Sequence, residues 1–142
     1  MRLTKVFVDT SAWVALFFPK DRYHQQAKQV WEDLRKERAG IFTSNYIVDE
    51  AITYVRKVGG YHLSLELGNM LFASKVLQRV MIGAEEEGRA WALYQKYSDQ
   101  ELSFTDCTSF AVMEKEGIDT AFSFDRDFLK VGLSTVPIGR EG

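Results

Sequence analysis

A chain of 142 residues is the length of one ordinary domain and can bury a real core. Hydrophobic residues make up 46% and charged residues 27%, close to average globular usage, which argues against a disordered chain and against a membrane protein. A net charge of −2 gives no broad basic surface for nucleic acid, and the single cysteine, Cys107, excludes an internal disulfide and a cysteine-rich zinc site.

In chain order, Lys5 to Val8 reads as a short buried strand, and Asp9-Thr10-Ser11 after it is a helix-initiating sequence. The opening MRLTKVFVDTS runs directly into that strand instead of forming a secretion signal, and stretches such as Ala12 to Phe18 fall far short of a membrane span; a cytoplasmic protein is expected. After a helix through Ala12 to Phe18, Pro19 and Asp21 restart a second one. Its apolar positions Tyr23, Ala27, Val30, Trp31 and Leu34 recur at helical spacing and are assigned to the core. Ile41 to Thr43 form a second strand. Ser44 and Asn45 then cap a helix whose apolar side is Ile47, Val48, Ala51, Val55 and Val58, ended by Gly59-Gly60.

Leu63 to Phe72 is a further helix, and Val76 to Ile82 contains a third strand. The helix from Ala84 to Tyr97 opens with Glu85, Glu86 and Glu87, where negative charge suits the helix dipole and a structural role is expected. Thr105 to Glu116 is a helix closed by Gly117, with Cys107 packed as a small apolar residue near Phe110 and Ala111. Thr120 to Phe124 is a fourth strand, and Thr135 to Ile138 a short edge strand that tolerates Pro137. Strands alternating with helices predict an α/β fold, a three-layer α/β/α sandwich around a mainly parallel sheet, as a single domain over 1–142.

Four acids fall at or near strand-to-helix junctions: Asp9, Glu50, Asp106 and Asp125. In such a fold these places converge on a cleft beyond the carboxyl ends of the strands. Each acid also has a plainer reading. Asp9 and Asp106 sit in sequences able to cap the next helix. Glu50, read as first-turn, borders the apolar face of its helix one step from Tyr54, with Asp49 at the other border as a lesser candidate. Asp125 and Asp127 follow a strand two residues apart, Asp125 primary and Asp127 secondary. His24 and His62 lie on predicted helices outside this set and are read as ordinary helix residues. The negative net charge does not exclude phosphate binding. Divalent cations reverse the sign of an acidic cluster, and Arg35, Lys36, Arg38, Arg56, Lys57, Arg126 and Lys130 supply basic groups, the first three read as a solvated helix face.

The ordered segments VFVDTSAW, SNYIVDEAITYVRKVGG, LSFTDCTSFAVMEKEGI and TAFSFDRDFLKVG together resemble the PIN-domain ribonucleases, most closely the VapC-type toxins of toxin–antitoxin pairs, over nearly the whole chain. The resemblance implies that Asp9, Glu50, Asp106 and Asp125 line a metal site for Mg²⁺ or Mn²⁺, with Asp127 assisting, and that Ser11 and Ser123 stand near it. It implies a metal-dependent endoribonuclease cutting structured RNA such as tRNA or rRNA. It also implies a homodimer and a small VapB-type antitoxin able to place a basic side chain in the acid pocket. Cys107 stands where that family more often has alanine. Aromatic residues Trp31, Tyr46, Tyr54 and Phe72 are either partner surface or core.

Hard cations with carboxylate ligands suit attack of water on a phosphodiester, without a histidine base. Two other classes compete: a phosphohydrolase or phosphotransferase using the same acidic pocket, and a non-catalytic RNA-binding module on the same fold. Haloacid-dehalogenase-like enzymes want an aspartate where Ser11 stands, and receiver domains want a paired lysine that the sequence does not offer convincingly.

Overall fold

The computed structural model describes residues 3–138, so both ends of the predicted domain, 1–2 and 139–142, lie outside the described residues. Five strands form one sheet: β1 (Lys5–Val8), β2 (Gly40–Ser44), β3 (Leu77–Val80), β4 (Thr120–Phe122) and β5 (Ser134–Val136). Their order is β3-β2-β1-β4-β5 and every pairing is parallel. Parallel strands need long crossovers, and here the helices supply them: α1 (Thr10–Phe17), α2 (His24–Lys36), α3 (Asn45–Gly59), α4 (Tyr61–Ala73), α5 (Ala84–Lys96), α6 (Phe104–Glu116) and the short α7 (Asp127–Lys130). The result is the expected α/β/α sandwich.

Because helices cover both faces, the central strand is apolar at consecutive positions instead of alternating. Val6, Phe7 and Val8 are fully buried. α6 is buried from Cys107 through Met113, which accounts for its lack of a polar stripe and places Cys107 in the core as expected. Trp13 of α1 is also fully buried. Its Nε1 donates to Thr43 Oγ1 at 3.3 Å, and that hydroxyl donates to the Val8 carbonyl at 3.0 Å, so the end of β1 is braced from the side. Deleting the Trp13 side chain would cost roughly 3–5 kcal/mol.

The strand order places a topological switch between β1 and β4: the chain moves outward from β1 through β2 to β3, then returns to the other side of β1. In open parallel sheets a crevice for ligands forms at such a point, beyond the carboxyl ends of the strands.

Besides shifts of one or two residues at other element ends, such as the edge strand ending at Val136 before Pro137, three differences from the sequence reading bear on the site. The second helix starts at His24, not at Pro19 or Asp21, because the Asp21 carboxylate accepts from the Tyr23 N–H at 2.9 Å and folds Phe18 to Tyr23 into a turn. The fourth strand ends at Phe122, since the Phe124 N–H is taken by Ser11 Oγ at 2.9 Å. Glu50 sits in the second turn of α3, not the first, because the helix begins at Asn45 behind its Ser44 cap.

Candidate active site

Asp9 follows Val8 directly at the end of β1, and its N–H still donates to the Phe122 carbonyl of β4 at 3.0 Å. It occupies the cap position of α1 by backbone conformation, yet its carboxylate makes no cap hydrogen bond. That removes the plainer reading of Asp9. The side chain, only 5% exposed, accepts instead from Ser123 Oγ at 3.0 Å and from Ser11 Oγ at 3.4 Å. The two hydroxyls are 3.2 Å apart, and Ser123 Oγ also accepts the Asp125 N–H at 3.1 Å. Ser11 and Ser123 thus tie Asp9 to the loop after β4 and fix where Asp125 begins.

Asp106 serves two purposes. One carboxylate oxygen accepts the Ser103 N–H at 3.0 Å while the Asp106 N–H donates to Ser103 Oγ at 3.0 Å, a reciprocal cap at the start of α6. The same residue lines a cavity of about 390 Å³ together with Asp9, Glu50 and Asp125. Glu50 reaches it from α3, held by Thr10 Oγ1 donating at 2.5 Å. All four primary acids therefore meet in one cleft at the switch point. Asp127 does not line that cleft; it lies beside Asp106 and Asp125 and pairs with Lys130 at 2.9 Å. Asp49 opens into an adjoining groove with Tyr46, Thr53, Tyr54 and Lys57.

The electrostatics are those of carboxylates short of cations. Burial, then the charge of Asp125, pushes the Asp9 carboxyl up to about 7 against the hydrogen bonds that favour its charged form. Burial and the nearby Asp127 push Asp106 up to about 6, and desolvation with Asp127 raises Asp125 as well. An all-oxygen donor set with unbalanced negative charge suits a hard divalent cation. Among the described residues, no three His, Cys, Asp or Glu side chains already stand together as a ready ligand set. Glu50 is turned onto Thr10, Asp9 onto Ser123 and Asp106 onto Ser103, so gathering around one ion takes side-chain rotation.

Several lining residues escaped the sequence reading. Tyr23, assigned to a helix stripe, lies in the turn before α2 and stacks on Phe124 with ring centroids 4.5 Å apart and planes 7° from parallel. Both rings line the acid cleft, as do Thr10, Arg22 and Tyr54. The signal available for Tyr23 was Pro19 and Asp21 just upstream, a turn sequence as much as a helix start. His24 stays outside the site, its Nδ1 2.7 Å from the Ala15 carbonyl.

A model of the PIN domain matches residues 6–133. This chain belongs to the PIN-domain family. Within it the likeness is to the VapC type: the chain is 34% identical over 131 residues to the 23S rRNA-specific endonuclease VapC20 of Mycobacterium tuberculosis, covering 92% of this chain and 97% of that relative. The crystal structure of VapC20, described as a sarcin–ricin loop cleaving toxin, superposes with a TM-score of 0.83 over 90% of this PIN domain and 95% of VapC20. A toxin–antitoxin complex from Klebsiella pneumoniae shares the fold at 17% identity and a TM-score of 0.62, covering 89% of this chain and 92% of that one.

Proposed function

We propose that this PIN domain is an Mg²⁺- or Mn²⁺-dependent endoribonuclease, the toxin of a type II toxin–antitoxin pair, whose substrate is a structured ribosomal RNA loop of the sarcin–ricin kind. The observation that carries the reading is the buried Asp9 carboxylate, left uncapped at the end of β1 and facing Asp106, Asp125 and Glu50 in one cleft. The 34% identity to a 23S rRNA endonuclease over nearly both chains supports the RNA class. When bound, the divalent ion lowers the pKa of water and offsets phosphate charge. Asp9, Asp106, Asp125 and Glu50 would hold it; Asp127, backed by Lys130, would orient Asp106 and Asp125; Ser123 and Ser11 aim Asp9. Water oxygen bonds to phosphorus as the bond to the leaving ribose oxygen breaks, and the proton that water gives up ends on that leaving oxygen as a hydroxyl.

The same reading gives a cytoplasmic homodimer controlled by a small VapB-type antitoxin. Among the described residues no helix is long and apolar enough to cross a membrane. Of the four aromatic partner candidates, Trp31 packs on Trp13 and Tyr46 bonds to Glu87, whereas Tyr54 and Phe72 remain exposed and suit a partner surface.

The test is cleavage of 23S rRNA fragments and tRNAs by purified protein with Mg²⁺ or Mn²⁺, with and without EDTA, beside Asp9→Asn. Discrete cuts that need the metal and vanish in the variant are expected. Equal behaviour of wild type and variant overturns the nuclease reading and favours a phosphohydrolase or a binding module.

A further inference from the structure

The acid cleft is the middle of a longer trench. It shares Glu50 and Tyr54 with the groove that Lys57 lines along α3. On its other side it shares Arg22, Tyr23, Phe124 and Asp125 with a second hollow of about 280 Å³ that extends to Gln26, Arg126 and Thr135. Among the described residues, Arg22 is therefore the one basic residue on the wall of the acid cleft itself, at its junction with the next hollow.

Its placement is built. The turn from Phe18 to Tyr23 is closed by the Asp21 N–H donating to the Phe18 carbonyl at 3.0 Å and by the Asp21 carboxylate accepting the Tyr23 N–H at 2.9 Å. The Arg22 guanidinium lies 4.8 Å from the centroid of the Tyr23 ring, and that ring is stacked on Phe124, one residue before Asp125. An arginine laid on an aromatic face keeps its charge and its donors while losing less freedom on binding than a lysine in solvent. Among the described residues Arg22 forms no ion pair, although Asp125 and Asp21 line the same cavity. An arginine kept to neutralise those acids would be paired with them. This one is exposed and lines both the acid cleft and the adjoining hollow.

We infer that Arg22, carried on the Tyr23–Phe124 stack, is a substrate-binding residue that grips a phosphate of the RNA strand flanking the scissile one and sets the register of the strand across the acids. This rests on the nuclease reading above. The chemistry is that of a guanidinium fork on phosphate oxygens, which adds affinity without entering the bond-breaking step.

The experiment measures binding of a synthetic sarcin–ricin-loop RNA hairpin to Asp9→Asn protein by fluorescence anisotropy across a salt series, and steady-state cleavage by otherwise wild-type protein. Arg22→Gln is expected to weaken binding roughly tenfold at low salt. It should also flatten the dependence of log affinity on log salt by about 0.7–1, and raise KM while leaving kcat within about twofold. Arg22→Lys should restore the salt slope, and Lys28→Gln, an exposed cation of α2 that does not line the trench, should change neither quantity. Unchanged affinity, slope and KM in Arg22→Gln, with wild type cutting the hairpin, overturn the inference and leave the nuclease intact. Equal losses in Arg22→Gln and Lys28→Gln overturn it in favour of diffuse charge. Failure of wild type to cut any RNA with either metal removes the nuclease reading and this inference with it.

Discussion

The seam between α5 and α6 and the cleft beyond β1 and β4 both collect carboxylates, and the fold treats the two groups in opposite ways. In the seam, Glu86 bonds Lys115 at 2.7 Å and closes the Gly83 cap at 2.8 Å, while Glu114 receives both prongs of Arg89 at 2.7 and 2.9 Å. Those partners hold Glu86 down at about 2 and lower Glu114 as well. Beside the cleft Lys130 pairs with Asp127, which does not line it, and Asp9, Asp106 and Asp125 are all pushed up. A stabilising acid cluster brings its own cations. The cleft keeps a deficit that an outside cation can fill, which is the pattern of a site that trades stability for function.

The largest expected effect breaks this contrast at its centre. Asp9→Asn should cost activity more than the roughly 10–100-fold that loss of an outer partner costs a metal site. In metal-free buffer at pH 8 the same variant should melt higher than wild type. The sign follows from linkage: a carboxyl held above its ordinary value binds more protons folded than unfolded, so wild-type stability falls as pH rises from about 4 through about 7. At about 1.4 kcal/mol for each tenfold change in proton affinity, the Asp9 cost above pH 7 is on the order of a few kcal/mol. A lower melting temperature for Asp9→Asn at pH 8 would mean that Asp9 holds the fold together, as Glu86 does.

The next effect uses the metal. Mn²⁺ or Mg²⁺ at about 100 times its dissociation constant should stabilise wild type by about 2.7 kcal/mol, read as a rise in Tm at pH 7.5. EDTA should reverse the rise, and Asp9→Asn should show little of it. Equal shifts in both proteins would place the ion elsewhere.

The sequence carried this site unevenly. The strand-to-helix alternation was legible because buried parallel strands are continuous apolar runs, as in Val6-Phe7-Val8, and because Gly59-Gly60 and Gly117 mark helix ends. Gly117 does adopt the left-handed conformation, φ 67°, that ends α6. The acids were legible by position. Whether Asp9 caps its helix or faces the cleft was not, since one backbone conformation serves both and the Ser123 hydroxyl, 114 residues away, joins Ser11 in deciding it. Tyr23 was lost for a similar reason. Helical spacing from Ala27 backward included it, Pro19 and Asp21 served equally as a helix start or as the turn in which Asp21 takes its N–H, and nothing local said that Phe124, from the far end of the chain, would take its ring.

The smallest effect sharpens the seam. Glu86→Gln removes the charge facing Lys115 but keeps an oxygen able to accept the Gly83 N–H, so the cap survives and the ion pair does not. Glu86 is held below its ordinary value, so its share of stability is complete above about 4.5 and is lost as pH falls toward about 2. Wild type should therefore lose stability across that acid window more steeply than Glu86→Gln, while the two differ only slightly at pH 7, because Lys115 is half exposed and solvent screens the pair. Melting curves at pH 7, 4.5 and 3 decide it. Parallel curves at all three would mean that the seam is held by its helix packing and cap alone, and that the low value of Glu86 reflects contacts the unfolded chain also makes.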